Sequence, residues 1–134
     1  MPRGVSLAAC ILLVPLGLGT KRYHGLGDAW VHANAGDILY AAFWFFVALL
    51  VWPRASLWKA GAAVFLYCTT VEFSQLLHTP WLDGLRRTLP GRLLLGSEFD
   101  WSDIGCYAVG IVVAAGLSAL FRQGVVSGEK RSGQ

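Results

Sequence analysis

Several side chains that could carry out chemistry lie at the end of a long apolar stretch. The segment VEFSQLLHTPWLDGLRRT, residues 71–88, contains Glu72, Gln75 and His78 at intervals of three residues. In a helix this spacing places the three side chains on one continuous stripe. A carboxylate beside an imidazole can act in general acid–base or nucleophilic catalysis. Arg86 and Arg87 follow, and guanidinium groups bind phosphate through forked hydrogen bonds.

Two further acids stand at the start of other apolar stretches. Asp37 opens one of them, and Asp103 opens another, with Tyr107 four residues later on the same helical stripe. An acid inside a membrane span is costly and usually faces the bundle interior or a wet cavity. These residues therefore predict a shared polar site, provided that the helices bring them to one level. A structural alternative is that Glu72 and Gln75 only form hydrogen bonds between helices.

The composition indicates an integral membrane protein. Hydrophobic residues make up 55% of the 134 residues and charged residues only 14%, with a mean hydropathy of +0.54. A soluble domain has about a quarter of its residues charged. The apolar residues form long blocks without a period of two, which favours helices over a barrel.

Four apolar blocks predict an all-α fold, a four-helix transmembrane bundle in one domain of residues 1–122. The predicted spans are about residues 4–19, 36–52, 57–78 and 102–121, close to the roughly 17 to 25 residues that a bilayer requires. Residues 123–134 are polar and glycine-rich, and we predict a disordered tail. Cys10, Cys68 and Cys106 lack metal-type spacing and are expected to be free thiols.

With four spans, both termini lie on one side and most acids on the other, here called the polar face. The first and third spans end on the polar face, and the second and fourth spans begin on it. Seven of the eight acids belong to this face or its edge: Asp28, Asp37, Glu72, Asp83, Glu98, Asp100 and Asp103. Basic residues divide almost equally between the two faces, so the positive-inside rule favours cytoplasmic termini only weakly. The polar face would then point outward.

A short segment joins the third and fourth predicted spans. Pro80 stops the third helix, and Trp81, Leu82 and Leu85 are spaced as in an amphipathic helix that lies in the membrane interface. Arg86 and Arg87 are predicted to project from its polar side, where Asp83 would pair with Arg86 or cap the helix. This interfacial amphipathic segment would cover the polar cluster.

The motifs of this region resemble those of a known family. VEFSQLLHTPWLDGLRRT, LLLG, FDWSDIGCYAVG and GDILYA are similar to a bacterial family of small membrane proteins, domain-of-unknown-function family 2809, over about residues 36–116. That family resembles the VanZ-like proteins, which are tied to glycopeptide resistance and have been proposed to belong to a superfamily acting on lipid-linked headgroups. The resemblance implies a four-helix protein of the bacterial inner membrane. It carries over these site positions: Asp37, Glu72, Gln75, His78, Trp81, Asp83, Arg86, Trp101, Ser102 and Asp103.

The leading hypothesis is action on a phospholipid or polyprenyl-phosphate headgroup, by phosphoester hydrolysis or exchange. The predicted catalytic residues are Glu72, His78 and Asp103. The predicted substrate-binding residues are Asp37, Gln75, Arg86, Arg87, Trp81, Trp101 and Ser102. No metal or cofactor is predicted, and no nucleic-acid surface. The sequence leaves open whether the protein is an enzyme, a non-enzymatic lipid- or glycopeptide-interacting protein, or an oligomeric conduit.

Overall fold

The computed structural model describes residues 1–96 and 98–132, and within them the chain is helical without any strand. The elements are α1 (Arg3–Thr20), α2 (Asp28–Trp30), a π-helical segment (Val31–Ala35), α3 (Gly36–Val51), α4 (Leu57–Ser74), α5 (Pro80–Arg87), α6 (Leu89–Leu95) and α7 (Trp101–Ser132). The all-α prediction is confirmed.

Three helices in the described part of the chain are long and apolar enough to cross a membrane. They are Arg3–Thr20, Asp28–Val51 and Trp101–Ser127, and the second combines α2, the π-helical segment and α3 without a break. The predicted third span, α4, is not among them, because Lys59, Glu72 and its hydroxyl groups lower its mean hydropathy. The membrane class agrees with the prediction, whereas the count of four spans is not confirmed.

The predicted second span, residues 36–52, corresponds to α3, and α2 with the π-helical segment extends the same helical stretch back to Asp28. The third helix, α4, ends at Ser74 rather than at residue 78. The backbone N–H groups of Gln75, Leu76 and Leu77 bond to carbonyls three residues earlier, a tight turn that leaves the α-helix before Pro80 is reached.

The C-terminal segment also differs from the prediction. Residues 123–132 continue α7 as a helix instead of forming the expected disordered tail, and residues 133–134 lie outside the described residues. Helix propagation adds one hydrogen bond for each residue that it orders, so α7 continues here although the glycine residues disfavour a helix. The segment predicted to join the third and fourth spans is helical and forms α5 and α6, with Leu82 buried and Trp81 exposed.

Helix α3 lies at the centre of the bundle, where it contacts α1, α4 and α7, and α4 also contacts α7. The core is formed largely by small residues and aromatics. A stripe of small residues on α7 is buried: Cys106, Gly110, Ala114 and Ser118. At Gly110 the backbone of α7 approaches the backbone of α3 so closely that a Cβ atom would collide with the carbonyl oxygen of Ile38. This contact sets the position of α7 against α3.

We predict that Gly110→Ala lowers the free energy of unfolding by about 1–3 kcal/mol, because overpacking forces the helices apart. Gly116→Ala on the exposed side of the same helix is the matched control, since a Cβ atom there meets open space. Denaturant unfolding of the detergent-solubilised protein would measure both. Equal stability of the two variants would contradict the close approach of α7 to α3.

Candidate functional site

The carboxylate of Glu72 is the centre of a buried hydrogen-bond network. The side chain is fully buried near the end of α4. Its Oε2 atom accepts from the Tyr107 hydroxyl at 2.7 Å and from Gln75 Nε2 at 3.4 Å. Its Oε1 atom accepts from the backbone N–H of Asp100 at 2.9 Å. Burial of a carboxyl group without partners costs several kcal/mol, so these three donors explain how α4 accommodates it.

Gln75 extends this network to the connection before α7. Its Nε2 atom also donates to the carbonyl oxygen of Leu95, at 3.1 Å. The next residue, Gly96, has a positive φ of 66°, and a Cβ atom there would collide with the Gln75 amide. Glycine is therefore required at this turn for both conformation and space. The network joins α4, the end of α6 and the start of α7.

Beside the network, Asp37 from α3 and Asp103 from α7 form a carboxyl pair. Both side chains are half-buried, and they lie close enough for the charge of each to act on the other. The charges of Glu72 and Asp100 act on both members, and Lys21 supplies an opposite charge near Asp37. The sequence predicted Asp37 as a substrate-binding residue, and the structure brings it near Asp103. A pair of this kind can hold and transfer a proton.

The π-helical segment adds contacts that the sequence analysis did not assign to the site. Asn34 in this segment donates to the carbonyl oxygen of Trp30 at 3.1 Å and accepts from the thiol of Cys106 at 3.4 Å. Short π-helical segments often occur near functional sites. The sequence did signal one further member of the site, because Tyr107 is spaced four residues from Asp103, and Tyr107 donates one of the three hydrogen bonds to Glu72.

Arg86 does not project from the polar side of α5 as predicted. It is buried, and its guanidinium group donates to the carbonyl oxygens of Ser74 and Leu77, the latter at 2.9 Å, and to Asp83 Oδ1 at 3.3 Å. These carbonyls lie at the C-terminus of α4, where a cation also compensates the helix dipole. Arg86 therefore holds α5 against the end of α4.

The remaining predicted residues lie on exposed parts of the polar face. His78 is outside α4 and exposed, and its Nδ1 atom lies 3.6 Å from Asp83 Oδ1, so the predicted helical stripe ends at Gln75. Arg87 is exposed on α5. Trp81, Trp101 and Ser102 are exposed as well.

Asp100 stands immediately before α7 and supports its first turn. The backbone N–H of Ser102 donates to Asp100 Oδ1 at 2.9 Å, and this hydrogen bond lowers the pKa of the Asp100 carboxyl group. Trp101 packs edge-on against Phe73 and Phe99 in an aromatic cluster.

Within the described residues, no three His, Cys, Asp or Glu side chains are arranged to hold a metal ion.

Residues 26–111 of the 134 match the family described as protein of unknown function (DUF2809). The chain belongs to this family. No solved structure matches the chain. The matched region of this DUF2809 protein contains the carboxyl pair, the Glu72 network and Arg86, whereas α1 and the C-terminal part of α7 lie outside it.

We predict that Tyr107→Phe lowers the stability of the DUF2809 protein by about 1–3 kcal/mol, because a buried carboxyl oxygen loses a donor. A double-mutant cycle with Glu72→Gln should give a coupling energy of about 0.5–3 kcal/mol. The control cycle combines Tyr107→Phe with Asp83→Asn, which should be additive within about 0.5 kcal/mol. Additivity in both cycles would show that Tyr107 and Glu72 do not interact.

Arg86→Gln is expected to destabilise the protein by about 1.5–3 kcal/mol, the usual effect of losing hydrogen bonds that involve a charged group. Hydrogen exchange at the amides of residues 75–77 should accelerate, because the turn after α4 loses its support. Arg87→Gln is the matched control and should change stability by no more than about 0.5 kcal/mol. Equal effects of the two substitutions would rule out the capping role of Arg86.

Proposed function

We propose that α4 is a fourth membrane span, which makes the protein a four-span bundle. Its 18 residues correspond to ~27 Å of helix at 1.5 Å per residue, close to the thickness of a bilayer core. Phe65 and Leu66 are exposed on its outer side, where lipid would cover them. Glu72 faces inward and is hydrogen-bonded, and Lys59 lies in the first turn, where a long side chain can reach the headgroups.

We propose that the polar face binds the headgroup of a phospholipid or polyprenyl phosphate and catalyses hydrolysis or exchange of its phosphoester. The observation that supports this most is the half-buried carboxyl pair of Asp37 and Asp103, close to the buried carboxyl group of Glu72. One carboxylate accepts the proton of the attacking water or alcohol as its oxygen bonds to phosphorus. The other carboxyl group donates a proton to the departing oxygen as that P–O bond breaks.

In this proposal the charged residues around the polar face take three roles. Glu72 and Arg86 act as positioning residues, because both side chains are buried and hydrogen-bonded within the protein. The phosphate charge is balanced instead by the exposed Arg87 and Arg92 and by Lys21. His78 is a second proton carrier at the edge of the face, where Asp83 orients it.

The proposal includes the location of the protein. The exposed Trp81 and Trp101 suit the level of the lipid headgroups, where aromatic residues anchor membrane proteins. We place the protein in the bacterial inner membrane, with cytoplasmic termini and the polar face outward. Kinship with the VanZ-like proteins, suggested by the resemblance of the motifs, would connect the site to the cell envelope.

A second candidate is a non-enzymatic protein that binds a lipid or glycopeptide and alters envelope resistance in the VanZ manner. This candidate is favoured by the hydrogen bonds of Glu72, the most deeply buried acid of the polar face. Those bonds give Glu72 a structural role, so it does not act as a catalytic acid or base. Under this candidate the carboxyl pair recognises an amine or hydroxyl group of the ligand without turnover. If substitution of Asp37 or Asp103 weakened ligand binding and the wild type left the lipid composition of the host unchanged, the binding protein would be favoured over the enzyme.

The test is a mass-spectrometric lipid profile of a bacterial host that expresses the wild type or single variants at equal membrane levels. We expect a lipid species altered by the wild type and by Glu98→Gln, an exposed acid of the same face. Asp103→Asn and Asp37→Asn should give the profile of the empty host, since loss of acid–base catalysis reduces rates by about 10²–10⁴-fold. Identical profiles in all strains would contradict the enzymatic proposal and favour the binding protein.

A further inference from the structure

A second polar region lies at the other end of the helices, and we call it the basic cavity. It has a volume of about 870 Å³ between the start of α1, the end of α3 and the start of α4. Its inner wall is apolar and consists mainly of small side chains, including Ala48, Ala60 and Ala63. Small residues leave space between helices that larger side chains would fill.

The rim of the basic cavity is positively charged. Arg3, Arg54 and Lys59 line it, all three side chains are exposed, and none of the described lining residues is acidic. Both ion pairs found in the described part of the chain involve Asp83, on the polar face. The three cations are thus not neutralised by any carboxylate of the described lining.

A smaller groove continues the basic cavity towards α7. It shares Arg54 and is lined further by Arg122, Phe121 and Val125, with a volume of about 450 Å³. Arg122 donates to the carbonyl oxygen of Ala55 at 3.2 Å, which attaches α7 to the loop that carries Arg54. The groove therefore repeats the arrangement of the basic cavity, a cationic rim over an apolar wall.

The level of the basic cavity in the membrane follows from the tryptophans beside it. Trp52 and Trp58 flank the loop between α3 and α4, and both are largely exposed. Tryptophan is enriched where lipid headgroups meet the hydrocarbon core. The cations would then lie at the headgroup level, with the alanine wall directed towards the acyl chains.

We propose that the basic cavity binds an anionic phospholipid, with its phosphate between Arg3, Arg54 and Lys59 and an acyl chain against the apolar wall. Basic pockets between membrane helices bind anionic headgroups in this manner. A free phosphate ion would use the rim alone and leave the apolar wall exposed. The combination of rim and wall therefore favours a lipid. This site is separate from the carboxyl pair and does not depend on the function proposed for it.

The experiment counts bound lipid by native mass spectrometry of the full chain in detergent, titrated with phosphatidylglycerol or with phosphatidylcholine of the same acyl chains. We expect the wild type to retain phosphatidylglycerol at least 10-fold more strongly. Each of Arg54→Gln and Lys59→Gln should weaken its binding about 5-fold, the effect expected for one basic residue near a membrane surface. Arg54→Lys keeps the charge and should remain within about 3-fold of the wild type, which distinguishes lost charge from misfolding.

The matched control is Arg22→Gln, which removes the same charge from an exposed position of the polar face that has no role in the proposed headgroup site. This variant should leave binding within about twofold of the wild type, on the order of experimental error. Equal weakening in variants of both faces would overturn the proposal, because binding would then follow net charge. Equal retention of the two lipids would also overturn it. Inorganic phosphate or glycerol 3-phosphate at millimolar concentration should not displace the bound phosphatidylglycerol. If either displaced it as effectively as added lipid does, the cavity would be a simple anion site and not a lipid site.

Discussion

The structure depends on one buried carboxyl group that needs hydrogen-bond donors. Glu72 lies inside a bundle whose surroundings are alanine, aromatic and aliphatic side chains, and an unpaired acid there would cost several kcal/mol. The three donors come from different parts of the chain: Gln75 of the turn after α4, Tyr107 on α7 and the backbone before α7. Satisfying this group fixes α4 and α7 relative to each other and draws the intervening connection against them.

In this arrangement, the residues that hold the helices in position differ from the residues that are accessible for chemistry. The buried charged side chains of the described residues, Glu72 and Arg86, form hydrogen bonds within the protein. The half-buried Asp37 and Asp103 stand next to that rigid network and remain partly accessible. A site needs supporting contacts that hold its reactive groups in place. The same bundle gathers most of its acids at one end, whereas the cavity at the other end is lined by cations and no acid among the described residues, so the two ends differ chemically.

Much of the fold could be predicted from local sequence, because local properties decide it. Long apolar blocks predict helices in a membrane, and the small residues every four positions from Cys106 to Ser118 predict close packing of α7, which Gly110 confirms against α3. The end of α4 could not be predicted in this way. Pro80 marked the latest point at which the helix could stop, whereas the turn at Gln75 is supported by hydrogen bonds from Arg86, which lies on another helix.

The sequence by itself determined the membrane class, the helical architecture and the gathering of acids at one face, since composition and helical spacing suffice for these. Only the tertiary structure decided which of those acids is buried and which is accessible. Tyr107 donates to Glu72, and Asp37 lies near Asp103, although both pairs are too far apart in the chain for a local pattern to encode them. The spacing of residues along one helix determines which side of that helix each side chain faces. The partner that a side chain meets depends on how separate helices pack, and here that packing was set by a glycine contact and a buried carboxyl group.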